Sequence, residues 1–206
     1  PVVVDEFQLK SRVSGVPGIK RESIFHALNQ KAVARRYAKS IGKKYEELNL
    51  IVVHLGGGIS VGAHRKGLVI DVNNALNGEG PISPERAGTV PSEALATLCF
   101  SGKYTLNEVK KMLHGKAGLA AYLGTSDMIT IEEKAIEGKE PYKTLVAAMD
   151  YTVAKEIGAM FVALKGQCDA IILTGGIAYS DYCVADIKEQ IEYLCKVVVL
   201  PGENEM

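Results

Sequence analysis

Apolar residues change their period several times along the chain, and those changes mark the elements. Leu50-Ile51-Val52-Val53-His54-Leu55 is a short, nearly continuous apolar run, the pattern of a strand buried on both faces. Gly56-Gly57-Gly58 follows as a tight turn. Ile59–Arg65 and Leu68–Val72 flank Lys66-Gly67, a hairpin signal, so residues 50–72 predict three consecutive antiparallel strands. Ala170–Thr174, closed by Gly175-Gly176, and Val197–Leu200 predict two more strands. Val2–Val4 reads as the end of a buried strand, with Asp5 at its C-terminal edge.

Elsewhere the period is helical. Residues 24–41 predict a helix, with Ile24, Leu28, Ala32, Ala34, Ala38 and Ile41 inward, Arg35, Arg36 and Lys39 outward, and Gly42 as its C-cap. Pro91–Phe100, Thr105–Leu113 and Asp181–Tyr193 predict shorter helices. The strongest helical pattern runs from Pro141 to Lys165, where Leu145, Met149, Val153, Ile157, Phe161 and Leu164 form one stripe. Residues 6–20, polar and carrying Pro17, predict a loop. The order β-β-β, helices, β, α, β predicts an α/β protein. Its mixed sheet has three antiparallel strands followed by parallel ones, with helices on both faces.

Composition narrows the function classes. Lys+Arg and Asp+Glu both number 24, so no basic nucleic-acid surface is indicated. No apolar run approaches the roughly 18–20 residues of a membrane span, and no charged n-region of a secretory signal stands at the start. The cysteines Cys99, Cys168, Cys183 and Cys195 form no C-x-x-C pair, which favours buried, reduced thiols and a cytoplasmic setting. Glycine, at 21 of 206 residues, exceeds the roughly 7% average, so specific backbone turns are in use.

Those turns carry the first chemical clue, because a glycine loop lets backbone N–H groups approach an anion. Two familiar phosphate loops do not fit. A dinucleotide fingerprint begun at Gly56 meets Val61 where its third glycine belongs. A Walker A loop read from Gly57 to Gly62 is followed by Ala63-His64, without Lys-Ser/Thr. What remains is one glycine turn between antiparallel strands and a second, Gly175-Gly176, between a strand and a helix more than a hundred residues later. That layout resembles the superfamily of acetate kinases, sugar kinases, heat-shock chaperones and actin.

The resemblance sharpens at particular motifs. His54-Leu55-Gly56-Gly57-Gly58-Ile59-Ser60 resembles the second phosphate loop of carboxylate kinases, and Leu173-Thr174-Gly175-Gly176-Ile177-Ala178 resembles their adenosine loop. The segment Gly78–Gly88 resembles the one bearing an active-site arginine, in the form found in butyrate kinases. Ser23-Ile24-Phe25-His26 and Pro1–Asp5 also match. The chain is thereby identified as similar to the acetokinase family from end to end.

This resemblance implies the ribonuclease H-like fold of that superfamily and an ATP-dependent phosphorylation of butyrate to butyryl phosphate, with Mg²⁺, run toward ATP in fermentation. Another short-chain or branched acid is the alternative substrate, and a non-catalytic ATP-binding domain is the alternative class. Family members are longer, so an N-terminal domain with the first phosphate hairpin, and a C-terminal helix, are expected outside this chain. Residues 1–45 would be the remnant of the acyl-substrate domain and 46–206 the nucleotide-binding domain. A homo-oligomer is expected for the full-length enzyme, with small molecules as its other partners.

The implied site residues follow. Arg86 would fork onto the transferring phosphoryl or the carboxylate. His54 and His26 would stand beside the phosphates, although a structural or packed histidine is the bland reading of each. Gly56, Gly57, Gly58, Gly175, Gly176 and Ile177 would hold the nucleotide. Asp5, directly or through water, would hold Mg²⁺, with Glu203 or Glu205 as a second carboxylate. Gly57 stands where acetate kinases carry Asn, so backbone contact would replace that side chain. Asn73, Asn74 and Asn77 read equally as cleft-lining or as turn residues. His64 and His114 read as surface residues.

Overall fold

A computed structural model describes residues 2, 3 and 7–203, the side chains from residue 7 onward. Strands β1 (Val2–Val3) and β2 (Ile24–Phe25) form a two-stranded antiparallel ribbon. Helix α1 spans Ala27–Ser40. A five-stranded sheet follows, built from β3 (Asn49–Leu55), β4 (Ile59–Arg65), β5 (Leu68–Val72), β6 (Ala170–Thr174) and β7 (Val197–Val199). Its order is β5-β4-β3-β6-β7; β3–β4 and β4–β5 pair antiparallel, β3–β6 and β6–β7 parallel. The predicted mixed sheet is therefore present.

Between β5 and β6 lie α2 (Ser92–Cys99), α3 (Leu106–Leu113), α4 (Gly118–Leu123), α5 (Met128–Ile136) and α6 (Tyr142–Ala163); α7 (Asp181–Ile191) separates β6 from β7. Helices α4 and α5 were not expected from the pattern. One is barely two turns long. The other starts at Asp127, whose side chain accepts from the Ile129 N–H.

Side-chain alternation divides the core. Ile51, Val53, Leu55, Ile171 and Leu173 face α6, whose Val146, Met149, Val153, Ile157, Met160 and Leu164 are buried against them. Leu50, Val52, Ala170 and Ile172 face the other way, onto Val33, Ala34, Tyr37 and Ala38 of α1. Each fully buried aliphatic side chain contributes about 1.5–3 kcal/mol relative to exposure. Both faces are covered, which is why β3 and β6 read as unbroken apolar runs. The β4–β5 turn places Lys66 and Gly67 at φ 51° and 85°, as a two-residue hairpin requires.

Three expectations change. The 24–41 helix begins only at Ala27, because Ile24 and Phe25 pair with Val3 and Val2. Leu28 is consequently exposed at 60%, and the inward face is set by Asn29, Gln30, Val33, Ala34, Tyr37 and Ala38. His64 is fully buried, not at the surface: β4 alternates, and residues 60, 62 and 64 lie opposite His54, Val52 and Leu50 on the α1 face. All four cysteines are free, but Cys99 is exposed and only Cys183 is buried.

Candidate functional site: a cleft between two glycine loops

The turn Gly56–Gly58 leaves the C-terminal end of β3, and Gly175 leaves the adjacent parallel strand β6, so the two loops are side by side. Open α/β sheets bind ligands at this edge. A cleft of about 520 Å³ opens there, lined by Gly56 and Gly57 on one side and Gly176, Ile177, Tyr179 and Ser180 on the other. Met128, Ile129 and Glu132 of α5 and Ser126 before it form an apolar wall with one carboxylate, and Glu203 closes the cleft. A cleft of this volume with glycine backbone on one side and an apolar wall on the other suits a small-molecule ligand.

The glycines differ in what they do. Gly175 has φ +92°, and a Cβ there would come within 2.4 Å of the Leu55 carbonyl oxygen. Gly175 and Gly202 exchange N–H···O bonds of 3.2 and 3.0 Å. Gly175 is thus a structural joint between strand ends. Gly176 has ordinary dihedrals and nothing within 4 Å of a built Cβ, so its missing side chain leaves open room on the cleft side. Around Gly56–Gly58 a Cβ would meet functional groups instead: His54 Nε2 at 3.0 Å from position 56, Glu85 Oε2 at 3.3 Å from position 57, and the Arg86 guanidinium carbon at 2.8 Å from position 58.

Arg86 is held by its loop, not by a helix or strand. Ser83 Oγ donates to the Gly57 carbonyl at 2.7 Å and the Glu85 N–H donates to the same oxygen at 3.1 Å. Leu119 and Ala120, in the first turn of α4, donate to the carbonyls of Ser83 and Pro84 at 3.1 and 2.9 Å. Gly118, at φ +61°, permits this approach: its Cβ would lie 1.9 Å from the Ser83 oxygen. The guanidinium donates to the Ala75 carbonyl. Partial burial lowers the Arg86 pKa from its ordinary 12.5, which leaves it a cation at any physiological pH.

The histidines assemble beside the same glycine turn. His26 and His54 stack with ring centroids 3.8 Å apart and an interplanar angle of 14°. Burial depresses both: His26 to about 3, helped by the proximity of His54 and Arg86, and His54 to about 4. Both rings are neutral at pH 7. His54 Nε2 lies 3.4 Å from Glu203 Oε1.

Of the residues named from sequence, Gly56, Gly57, Gly176, Ile177 and Glu203 line the cleft, Arg86 and His54 flank the Gly56–Gly58 turn, His26 stacks on His54, and Gly175 joins the strand ends. Asp5 and Glu205 lie outside the described residues. Asn73 is a pin, with Oδ1 accepting from the Val61 N–H at 2.7 Å and Nδ2 donating to the Ile59 carbonyl at 3.1 Å; Asn74 caps the turn at Leu76 and Asn77. His114 is half-buried and bridges to Arg86 through the backbone. Sequence reasoning missed Ser126, Met128, Ile129 and Glu132. The signal available was the Thr125-Ser126-Asp127 cap before an apolar pair. No cluster of three or more His, Cys, Asp or Glu suited to a metal exists among the described residues. No helix among them is long and apolar enough to cross a membrane.

A sheet with this order, carrying a glycine turn at the end of each of two neighbouring strands, defines the acetate kinase-like branch of the actin and sugar-kinase fold. Residues 6–198 match the Acetokinase family, and the chain belongs to that family. It is 71% identical, over its whole length, to a probable butyrate kinase of Phocaeicola vulgatus, and spans 58% of that relative. Its backbone follows the crystal structures of Porphyromonas gingivalis acetate kinase (TM-score 0.85, 22% identity) and a Francisella tularensis propionate kinase (TM-score 0.83, 21% identity). It covers 97% of itself and 58% of the other chain in both comparisons.

Proposed function

We propose that this chain forms the nucleotide-binding and phosphoryl-transfer part of an ATP-dependent short-chain carboxylate kinase, with butyrate as the preferred acceptor. The carrying observation is the convergence of a fixed cation, Arg86, and two stacked neutral histidines on a glycine turn at the mouth of a nucleotide-sized cleft. The family supports carboxylate phosphorylation, and butyrate rests on the 71% relative's name together with the Gly78–Gly88 segment.

Phosphoryl transfer demands positioning and charge stabilisation rather than covalent chemistry. The adenosine occupies the wall of Met128, Ile129 and Ile177, and the phosphates pass over Gly56–Gly58, whose bare backbone lets them approach. Arg86 then binds two oxygens of the group in flight and disperses their charge. The neutral rings of His26 and His54 complete a pocket without a second full charge, so ADP and acyl phosphate are not over-bound. Glu203, an exposed carboxylate at the cleft mouth, is an oxygen donor of the kind Mg²⁺ takes, and Asp5 is proposed as the other. Magnesium, when bound with the nucleotide, would neutralise phosphate charge.

A substrate panel tests the reading. Acyl phosphate trapped as hydroxamate, with ATP and acetate, propionate, butyrate or isobutyrate in turn, is expected to give the highest kcat/KM for butyrate in the intact protein. Faster turnover of acetate would replace butyrate, and acid-independent release of inorganic phosphate would remove the kinase assignment.

A further inference from the structure

A line of buried polar side chains runs between α1 and the sheet, and the proposed mechanism leaves all but its last member, His26, unused. Tyr45 OH is 2.6 Å from His64 Nδ1, His64 Nε2 is 2.9 Å from Gln30 Oε1, Gln30 Nε2 is 2.8 Å from Ser60 Oγ, and Ser60 Oγ is 2.9 Å from His26 Nδ1. His64, Gln30 and Ser60 are fully buried and Tyr45 nearly so. Strand register sets this up, since Ser60 and His64 sit opposite His54 and Leu50 on the face that α1 covers. Gly62, between them, makes room: a Cβ there would lie 2.4 Å from Gln30 Oε1.

The direction of every bond in the line can be deduced. Gln30 Nε2 also reaches the Ser60 backbone carbonyl at 3.1 Å, and a carbonyl only accepts. The amide nitrogen therefore faces Ser60, and the amide oxygen faces His64, which must donate from Nε2. A neutral ring protonated at Nε2 accepts at Nδ1, so Tyr45 donates. At the other end Ser60 Oγ accepts from Gln30. Among the described residues the only acceptor within reach of its single hydroxyl hydrogen is His26 Nδ1. His26 is then protonated at Nε2.

His54 faces an oxygen acceptor on each side, Asn29 Oδ1 at 2.9 Å from Nδ1 and Glu203 Oε1 at 3.4 Å from Nε2, so its contacts do not select one tautomer.

We propose that Ser60, Gln30, His64 and Tyr45 are positioning residues that hold His26 as its Nε2–H tautomer, so that this ring turns a donor rather than a lone pair toward the phosphoryl oxygens. This rests on the proposed kinase reading for the identity of the acceptor oxygens, but not for the tautomers. An imidazole free to exchange tautomers would present a lone pair to an anionic oxygen part of the time; the chain removes that state before substrate arrives.

The test reads the tautomer and the rate separately. Long-range ¹H–¹⁵N spectra of the full chain at pH 7 are expected to show His26 with a pyridine-type Nδ1 and a pyrrole-type Nε2. A pyrrole-type Nδ1 on His26 overturns the proposal whatever the enzyme's activity. Ser60→Ala should convert His26 to a tautomer mixture and lower kcat by about tenfold, the worth of one charge-assisted hydrogen bond, with KM for ATP little changed. Ser60→Thr, which keeps the hydroxyl, should restore the wild-type His26 spectrum. If Ser60→Ala does not fold, Tyr45→Phe at the far end of the line serves, with a smaller shift of the His26 signals expected. An unaltered His26 spectrum in Ser60→Ala would show the line to be structural only. Absent acid-dependent turnover in the wild type would instead defeat the kinase reading and leave the tautomer result standing.

Discussion

Arg86 occupies a position where a single atom set carries the charge of the site. Its guanidinium carbon would lie 2.8 Å from a Cβ at Gly58, and its loop is tied to the Gly57 carbonyl from two sides. Arg86→Ala is expected to lower kcat by about 10²-fold or more while the affinity for ATP, set by the far end of the cleft, changes little. Arg86→Lys should recover only part, since a point charge lacks the fork. Steady-state kinetics check both, and a kcat within a few-fold of wild type in Arg86→Ala would take the residue out of the chemistry. A second residue-scale expectation concerns His64, whose pKa burial depresses from 6.5 to about 3. Its folded-state value lies below the unfolded one, so the unfolded chain binds the proton first as pH falls. Stability is complete above about 6.5 and is lost on the way down toward 3. At pH 5 the loss is about 2 kcal/mol from this residue. Urea denaturation at pH 7.5 and 5 should therefore show a steeper decline in wild type than in His64→Gln.

At the scale of elements, the two strand-end loops separate stability from binding. Gly175→Ala combines a positive φ with a 2.4 Å approach to the Leu55 carbonyl, and should destabilise by about 2 kcal/mol or more. Gly176→Val meets nothing within 4 Å, so it should leave stability near wild type while raising KM for ATP and sparing that for butyrate. Denaturant midpoints and the two KM values, measured on the same pair of variants, decide this; a raised butyrate KM in folded Gly176→Val would contradict the loop's assignment. The strands of the five-stranded sheet were legible in the sequence to within a residue, because β3 and β6 are buried on both faces and read as apolar runs, whereas β2 reads as the start of a helix. The short helices α4 and α5 were not, since six and nine residues hold too little periodicity to stand out. His64 was misjudged for a related reason: its neighbours Arg65 and Lys66 suggest a surface, yet the strand's alternation turns it inward. The glycine loops and Arg86 were visible as motifs. The Tyr45-to-His26 line was not, because it joins residues up to 34 positions apart that only the packing of α1 on the sheet brings together.

For the whole molecule, the sheet is a platform whose helices serve different ends. Helix α6 buries one face and α1 the other, so the strand ends that carry Gly56 and Gly175 keep a fixed spacing. Helix α5 then supplies an apolar wall of the cleft, and Pro84 of the Arg86 loop, braced by α4, also lines it. In the proposed kinase such an arrangement would align a donor and an acceptor, and alignment accounts for much of the barrier reduction in phosphoryl transfer. The most direct measurement is single-turnover quench-flow with γ-labelled ATP, in the presence and absence of butyrate, on the intact protein. The account predicts that label passes to butyryl phosphate at the rate of ATP loss, only when the acid is present, and that Arg86→Ala slows this step without altering the amount of ATP bound. Label appearing as inorganic phosphate at the same rate with or without the acid would contradict it.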